Sequence, residues 1–214
     1  MKLTSAFFTL ALFWMMSPMI SMAQYNGYQA VGNVGAFKEK YRTEAAKIQS
    51  ISSRFIQEKT LIALTEKISS EGNFNFMRNN KVRIEYVKPF SYLMVMNGDK
   101  MKVKDSKKES TIQLNSNKLF QQINKIMIDC VQGTLLDSKD FTSRVFENEK
   151  TYLIELKPVS SSLKAFYSNI LLTVEKMDFS AKSITMEEPE GDKTVITFIN
   201  KKLNENLSDA LFNL

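Results

Sequence analysis

The sequence predicts a mainly β fold of the α+β class: an unclosed, half-open antiparallel β-barrel of about eleven strands, with two or three α-helices as a lid across its mouth. Many short runs of alternating apolar and polar residues are separated by turn signals, which favours an antiparallel meander. Two other segments place apolar residues at helical spacing. A sheet of that length normally curls, and helices with one apolar stripe must bury it, so the helices are expected over the concave face.

The first 23 residues are expected to be a secretory signal peptide. Lys2 gives a positive start, the stretch from Ala6 to Met16 has no charge, and Ser21-Met22-Ala23 places small residues where a signal peptidase cuts. An uncleaved membrane anchor is the alternative, but the apolar run is short for a span of roughly 20 residues. We therefore expect cleavage after Ala23, a periplasmic or secreted protein, and a single domain over residues 24–214.

The first helix is predicted over residues 33–48. Its apolar residues fall three or four apart, with charged residues between them. They are Val34, Phe37, Tyr41, Ala45 and Ile48. Asn33 is the predicted N-cap, because its side chain can accept a hydrogen bond from a free N–H of the first turn.

The pattern then changes to the period of two that half-buried strands show. The predicted strands of this half are residues 51–58, 60–69, 72–77, 81–87, 91–96, 100–104 and 110–114. Turns are predicted at Glu71-Gly72, Arg78-Asn79-Asn80, Lys88-Pro89 and Asn97-Gly98-Asp99.

Helical spacing returns over residues 117–132, which Gly133 is expected to end. The apolar residues of this second helix are Leu119, Phe120, Ile123, Ile126, Met127, Cys130 and Val131. Strands are then predicted over residues 141–147, 151–157, 169–175, 183–188 and 193–200, with Gly191-Asp192 as the last turn. The tail from Asn204 to Leu214 is expected to be a short helix or strand.

The composition excludes most catalytic machinery. The 214 residues contain no histidine and one cysteine, which excludes histidine triads, histidine metal sites and an intramolecular disulfide. No Gly-x-Ser-x-Gly elbow or phosphate-binding glycine loop occurs. Cys130 lies on the apolar stripe of the second helix and is expected to be a small buried hydrophobe. We expect no enzymatic activity, no cofactor and no metal.

The formal net charge of +6 does not by itself indicate nucleic-acid binding, which an exported protein is not expected to perform. The lysines at positions 100, 102 and 104 alternate, as on the solvated face of a strand. The alternative is a docking patch for an anionic membrane or partner.

The sheet carries more apolar side chains than one face requires. Residues 91–96 and 170–172 are apolar on both faces, and Phe74 and Phe76 share one face. Composition alone favours a closed core. An apolar cavity is the alternative, because methionine and phenylalanine adapt to irregular shapes.

Several segments, in the same order, make the sequence similar to the LolA family of periplasmic lipoprotein carriers. They are Ile48–Gln57, Glu71–Arg78 with its Gly-x-apolar-x-apolar-x-Arg pattern, Val82–Tyr86 followed by Pro89, Asn97–Lys100, Leu153–Pro158, Asn169–Glu175 and Ser183–Glu188. The sequence departs from the family pattern at Asn79, where proline is common, and at Ile84, where tryptophan is common. Asparagine-glycine replaces the family's aspartate-glycine turn.

The resemblance implies an unclosed barrel with a helical lid over a cavity that holds the acyl chains of a lipoprotein. The cavity is expected to be lined by Phe55, Phe74, Phe76, Val82, Ile84, Tyr86, Met94, Ile170, Leu172 and Val174. The lid is expected to present Phe37, Tyr41, Ile123, Ile126 and Met127. Arg78 occupies the place of the arginine that bonds into the lid and holds the empty form closed; the alternative is a surface arginine at a strand end.

The function implied is that of a monomeric periplasmic carrier that ferries lipoproteins from the inner to the outer membrane without inserting into either. Its expected partners are the acylated cargo, an inner-membrane release complex as donor and an outer-membrane acceptor. Two alternatives stay open. One is a carrier of another envelope lipid or a lipid-like pigment precursor, and the other is a non-transporting envelope interaction module.

Overall fold

A computed structural model describes residues 25–64, 66–114 and 118–214. The predicted signal peptide therefore lies outside the described residues. The strands are β1 (Gln29–Ala30), β2 (Ser50–Leu61), β3 (Glu66–Met77), β4 (Lys81–Lys88), β5 (Tyr92–Asn97), β6 (Lys100–Lys104), β7 (Glu109–Gln113), β8 (Phe141–Glu147), β9 (Thr151–Pro158), β10 (Asn169–Glu175), β11 (Ala181–Glu187) and β12 (Lys193–Leu203). The helices are α1 (Val34–Ala45), α2 (Lys118–Gln132) and α3 (Ser161–Lys164), and single 3₁₀ turns occur at Ile62–Leu64, Leu135–Asp137 and Asp209–Phe212.

All twelve strands form one antiparallel sheet, in the order β1-β8-β9-β10-β11-β12-β2-β3-β4-β5-β6-β7. Each half of the chain forms a meander of consecutive strands, and the pairing of β12 with β2 joins the two meanders. Within the described residues, the edge strands β1 and β7 do not pair with each other. Hydrogen bonds therefore do not close the sheet, and side chains from both of its halves line one concave space, which confirms the predicted half-open barrel.

The sequence predicted the corner between β2 and β3 in the wrong place. Residues 60–69 do not form a strand of their own, because the chain turns at Ile62–Leu64 and divides this segment between β2 and β3. Glu71-Gly72 is not a turn but lies inside β3. A Cβ at Gly72 would lie 2.3 Å from the backbone oxygen of Glu85 and 2.5 Å from the Phe55 ring. The glycine therefore allows a close approach between neighbouring strands rather than a reversal of the chain.

Other turn and cap signals were predicted correctly. The Asn33 side chain accepts a 2.9 Å hydrogen bond from the backbone N–H of Ala36 at the start of α1. Asn79 and Asn80 both have positive φ in the three-residue turn between β3 and β4, a conformation that asparagine tolerates better than most residues. Gly133 has φ +71° directly after α2, which is typical of a helix C′ residue.

Two clusters of buried side chains fill the concave face. The first lies beneath α1 and consists of Phe37, Tyr41, Ala45, Cys130, Leu135, Phe141, Val145, Ile154, Leu156, Leu163, Ile170, Leu172, Val174 and Phe179. The second lies against β2–β6 and consists of Ile48, Ile51, Phe55, Phe74, Phe76, Val82, Met96, Met101 and Leu114. Because α1 packs over one half only, the space between the clusters is left for α2 to cover.

In the part of the chain that the structure describes, no helix combines the length and the apolar character needed to cross a membrane.

Candidate functional site: a cavity beneath α2

A cavity of about 240 Å³ lies between the two clusters, with the sheet as its walls and α2 as its roof. Its lining is almost entirely apolar. It consists of Ile51, Phe55, Gln57, Phe74, Ile84, Tyr86, Met94, Ile126, Met127, Cys130, Val131, Tyr167, Ile170, Ala181, Ile184, Met186, Ile196, Phe198 and Lys201. Both halves of the sheet contribute, so the cavity depends on the β12–β2 pairing that joins them.

The structure divides the ten residues expected in the lining into two sets. Six of them face the cavity: Phe55, Phe74, Ile84, Tyr86, Met94 and Ile170. The other four, Phe76, Val82, Leu172 and Val174, are buried in the clusters and lie off the lining, unlike the expectation. These four side chains point inward, as alternation predicts, but they lie deeper than the cavity wall. Phe76 and Val82 pack in the second cluster, and Leu172 and Val174 pack in the first.

The expected lid residues are divided in the same way. Ile126 and Met127 of α2 face the cavity. Phe37 and Tyr41 of α1 do not, because they are packed into the first cluster, with their rings 5.8 Å apart. Ile123 lies within α2, and its side chain is outside the described residues. The roof of the cavity is therefore formed by α2, while α1 is part of the core.

Among the described residues, a hydrogen bond and a close contact join α1 to the end of α2. Tyr41 is fully buried, and its hydroxyl donates a 2.6 Å hydrogen bond to the carbonyl oxygen of Cys130. Burial raises the pKa of Tyr41 well above its ordinary value, so the hydroxyl stays a donor. A Cβ at Gly133 would lie 2.8 Å from the Cβ of Ala45, so α1 and the end of α2 are in close contact. The C-terminal end of α2 is thus fixed to α1.

Arg78 forms hydrogen bonds at the C-terminal end of α1. Its Nε donates to the carbonyl oxygen of Ile48 at 2.8 Å, and its Nη2 donates to that of Ala45 at 2.9 Å. The carbonyls of a helix's last turn have no partner within the helix, so a guanidinium with several donors is well suited to them. In the described part of the chain, the Arg78 side chain thus bonds to α1 and the segment that follows it, and α1 in turn contacts α2.

Sequence reasoning missed about half of the lining. The missed residues are Ile51, Gln57, Cys130, Val131, Tyr167, Ala181, Ile184, Met186, Ile196, Phe198 and Lys201. Alternation could have found Ile184 with Met186, and Ile196 with Phe198, because each pair shares one face of a strand. Cys130 is buried as predicted, and burial raises its pKa to about 12, with the Asp129 carboxylate adding to the effect.

The polar groups of the lining are few and largely satisfied. The Tyr86 hydroxyl donates to Gln57 Oε1 at 2.9 Å, and burial raises the pKa of Tyr86. Lys201 Nζ donates to Ser180 Oγ and to the carbonyl oxygen of Ala181. A site of this composition suits the burial of hydrocarbon.

Comparisons with known proteins agree with this architecture. A family model described as outer membrane lipoprotein carrier protein LolA matches residues 46–214. No curated protein matches the chain.

Among solved structures, an uncharacterised conserved protein from Thermus thermophilus is 10% identical with a TM-score of 0.50, over 81% of this chain and 91% of that one. A LolA superfamily protein from Nitrosomonas europaea is 15% identical with a TM-score of 0.43, over 83% and 97% of the two chains. The lipoprotein LppX from Mycobacterium tuberculosis is 15% identical with a TM-score of 0.42, over 80% and 96%.

At 10% identity the Thermus thermophilus structure bears on the fold alone, and the other two, with TM-scores below 0.5, carry no argument. The family model covers every strand from β2 to β12, together with α2 and α3. The protein therefore belongs to the LolA family of outer-membrane lipoprotein carrier proteins.

Proposed function

We propose that this protein is a periplasmic, non-enzymatic carrier that binds the acyl chains of lipoproteins beneath α2 and ferries them from the inner to the outer membrane. The observation that carries the proposal is the apolar cavity between the two core clusters. A protein of this size can fill its core with side chains, as the two clusters themselves do. An unfilled apolar space on the concave face therefore supports a binding role.

The size of the cavity indicates how cargo would enter. Its 240 Å³ is below the roughly 300–1,000 Å³ that is usual for small-molecule sites. A long acyl chain would need α2 to move outward. Each methylene buried gains about 0.8 kcal/mol, whereas opening exposes the apolar side chains of α2. These opposing contributions bring the empty and loaded forms close in free energy, as a carrier that must also release its cargo requires.

Arg78 is proposed as the gate residue, acting on α2 through α1. Its two hydrogen bonds fix the end of α1, and Tyr41 and the Gly133 contact fix α2 to α1. Loss of the Arg78 bonds would free this end of α1 and lower the cost of moving α2. Transfer would also require an inner-membrane donor and an outer-membrane acceptor, which we propose by analogy with the family.

The test uses N-phenyl-1-naphthylamine, a neutral probe that fluoresces in apolar sites, with the purified protein and a triacylated peptide as competitor. We expect saturable probe binding that the acylated peptide displaces and its unacylated form does not. Displacement by free lipids alone would support the carrier of another envelope lipid in place of the lipoprotein carrier. A folded sample that binds neither probe nor peptide would refute both.

Arg78→Leu tests the gate in the same assay. We expect the variant to stay folded and to change the rate at which bound acylated peptide is released. Arg54→Leu is the control, because Arg54 is 53% exposed and pairs with Glu71 outside the cavity. Equal release rates in the two variants would remove the gate role from Arg78.

A further inference from the structure

A β-bulge in β12 places a lysine on the wall of the apolar cavity. Ile196 and Phe198 face the cavity, and strict alternation would make Asn200 the next residue to do so. Instead, the register between β12 and β2 shifts between Ile199 and Lys202, and Asn200 has φ +54°. The extra residue reverses the alternation, and Lys201 takes the inward position.

Lys201 has only uncharged hydrogen-bond partners. Its Nζ donates to Ser180 Oγ at 2.6 Å and to the carbonyl oxygen of Ala181 at 3.0 Å. Across the described ranges, no carboxylate forms an ion pair with it. An ammonium has three N–H donors, so one remains for another acceptor. Burial lowers the pKa of Lys201, although the more distant Asp178 and Glu175 carboxylates oppose that shift.

The neighbouring Lys202 differs from Lys201 in both exposure and pairing. Its side chain is 66% exposed on the outer face and forms a 3.0 Å ion pair with Glu205. Lys201 is half-buried on the inner face without such a partner. A cation that is partly withdrawn from water and paired only with neutral oxygens gains more from an added anion than one that is already paired in solvent.

Position within the cavity also separates Lys201 from the Gln57–Tyr86 pair. Along β2, Lys201 lies near the height of Ser52. The Gln57–Tyr86 pair lies about five residues further along the same strand, so the two polar groups are roughly 17 Å apart. The wall between them is formed by Phe55, Ile196 and Phe198. An amphiphile with its head group at Lys201 would lay its hydrocarbon along this apolar wall.

We propose that the ligand of this cavity is an acyl amphiphile that carries an oxyanion, a carboxylate or a phosphate, and that this oxyanion pairs with Lys201 Nζ. The inference rests on the acyl-binding part of the proposed function, which supplies the acyl chain. Because the acylated glyceryl-cysteine of a lipoprotein carries no carboxylate or phosphate, it favours an anionic envelope lipid as the ligand. Neutral amphiphiles are then expected to bind less tightly than anionic ones with the same chain.

The test compares three ligands with one chain length, dodecanoate, dodecyl phosphate and dodecanol, as competitors of N-phenyl-1-naphthylamine. For the purified wild-type protein we expect at least one anion to bind about five-fold more tightly than dodecanol, the upper end of the range for a partly exposed ion pair. Lys201→Met is expected to abolish this preference, because it removes the charge from the cavity wall. Lys202→Met, which removes the same charge from the outer face, is expected to keep the preference.

The outcomes distinguish this inference from the proposed function. Equal binding of dodecanol and both anions by the wild-type protein would overturn the anion preference and leave the acyl-binding function supported. An anion preference that persists in Lys201→Met, or that disappears equally in Lys202→Met, would overturn the assignment to Lys201. Failure of all three ligands and of the probe to bind would overturn the proposed function as well. If one anion alone gains affinity, it identifies carboxylate or phosphate as the head group.

Discussion

Tyr41→Phe would test whether the bond between α1 and α2 holds the roof of the cavity. The substitution removes one hydroxyl from a fully buried ring and with it the 2.6 Å hydrogen bond to Cys130. The lost bond is worth about 1 kcal/mol net, and a carbonyl left buried without this partner adds a similar penalty. We therefore expect the free energy of unfolding to fall by about 2 kcal/mol. For a domain of this size that corresponds to a fall of about 4–8 °C in melting temperature.

The assay is urea unfolding followed by circular dichroism, with probe binding measured on the same samples. Tyr152→Phe is the matched control. Tyr152 belongs to the same aromatic group, with its ring 4.5 Å from that of Phe37, but its hydroxyl makes no hydrogen bond among the described residues. We expect the control to change stability by less than about 0.5 kcal/mol. Equal losses in the two variants, or unchanged probe uptake in Tyr41→Phe, would refute the idea that this bond restrains α2.

Three other predictions concern single residues. Gly72→Ala should lower the free energy of unfolding by more than about 2 kcal/mol and weaken probe binding, because the added Cβ would lie 2.3 Å from a backbone oxygen of β4. In the same urea-unfolding assay, the control Gly32→Ala should have no effect, because a Cβ at Gly32 meets open space. Cys130, with its pKa raised to about 12, should react with iodoacetamide about 1,000-fold more slowly than an ordinary cysteine at pH 8; mass spectrometry would detect faster labelling that contradicts this burial. Burial opposes ionisation of Glu155, but its bond to Arg144 prevails and lowers its pKa. This pairing therefore stabilises the fold at neutral pH, and the contribution is lost as the pH falls below the ordinary glutamate pKa of about 4.3. Glu155→Gln should flatten the decline of stability in acid, and parallel wild-type and variant curves would contradict it.

The outline of the fold could be predicted because its signals are local. Alternation, the Asn33 cap, the paired asparagines after β3 and the glycine after α2 each depend on a few neighbouring residues. Curling follows from the number of strands. The false turn prediction at Gly72 has a different origin. A glycine that allows close approach of a neighbouring strand cannot be told from a turn glycine in the sequence.

The cavity lining was harder to predict, because it depends on how deeply each side chain is buried as well as on the face of the strand to which it points. Alternation gives Phe74 and Phe76 the same face of β3, and only Phe74 reaches the lining. What separates such residues is how the neighbouring elements pack over them, and the sequence of one strand holds no information about that. Leu172 illustrates this, since it is inward-facing but buried in the cluster that includes residues of α1. Lys201 was missed because the extra residue of the bulge reverses the alternation of β12.

The order of the strands has a consequence for how the protein is made. The cavity walls come from both meanders, and β12, the last strand of the chain, joins them by pairing with β2, the first long strand. Contacts within each meander are close in sequence and can form early, whereas β12 and β2 are separated by most of the chain. The binding site therefore cannot exist until β12 has been synthesised. Because β12 lies inside the sheet and not at its edge, its loss would divide the sheet into two separate pieces, each without a cavity.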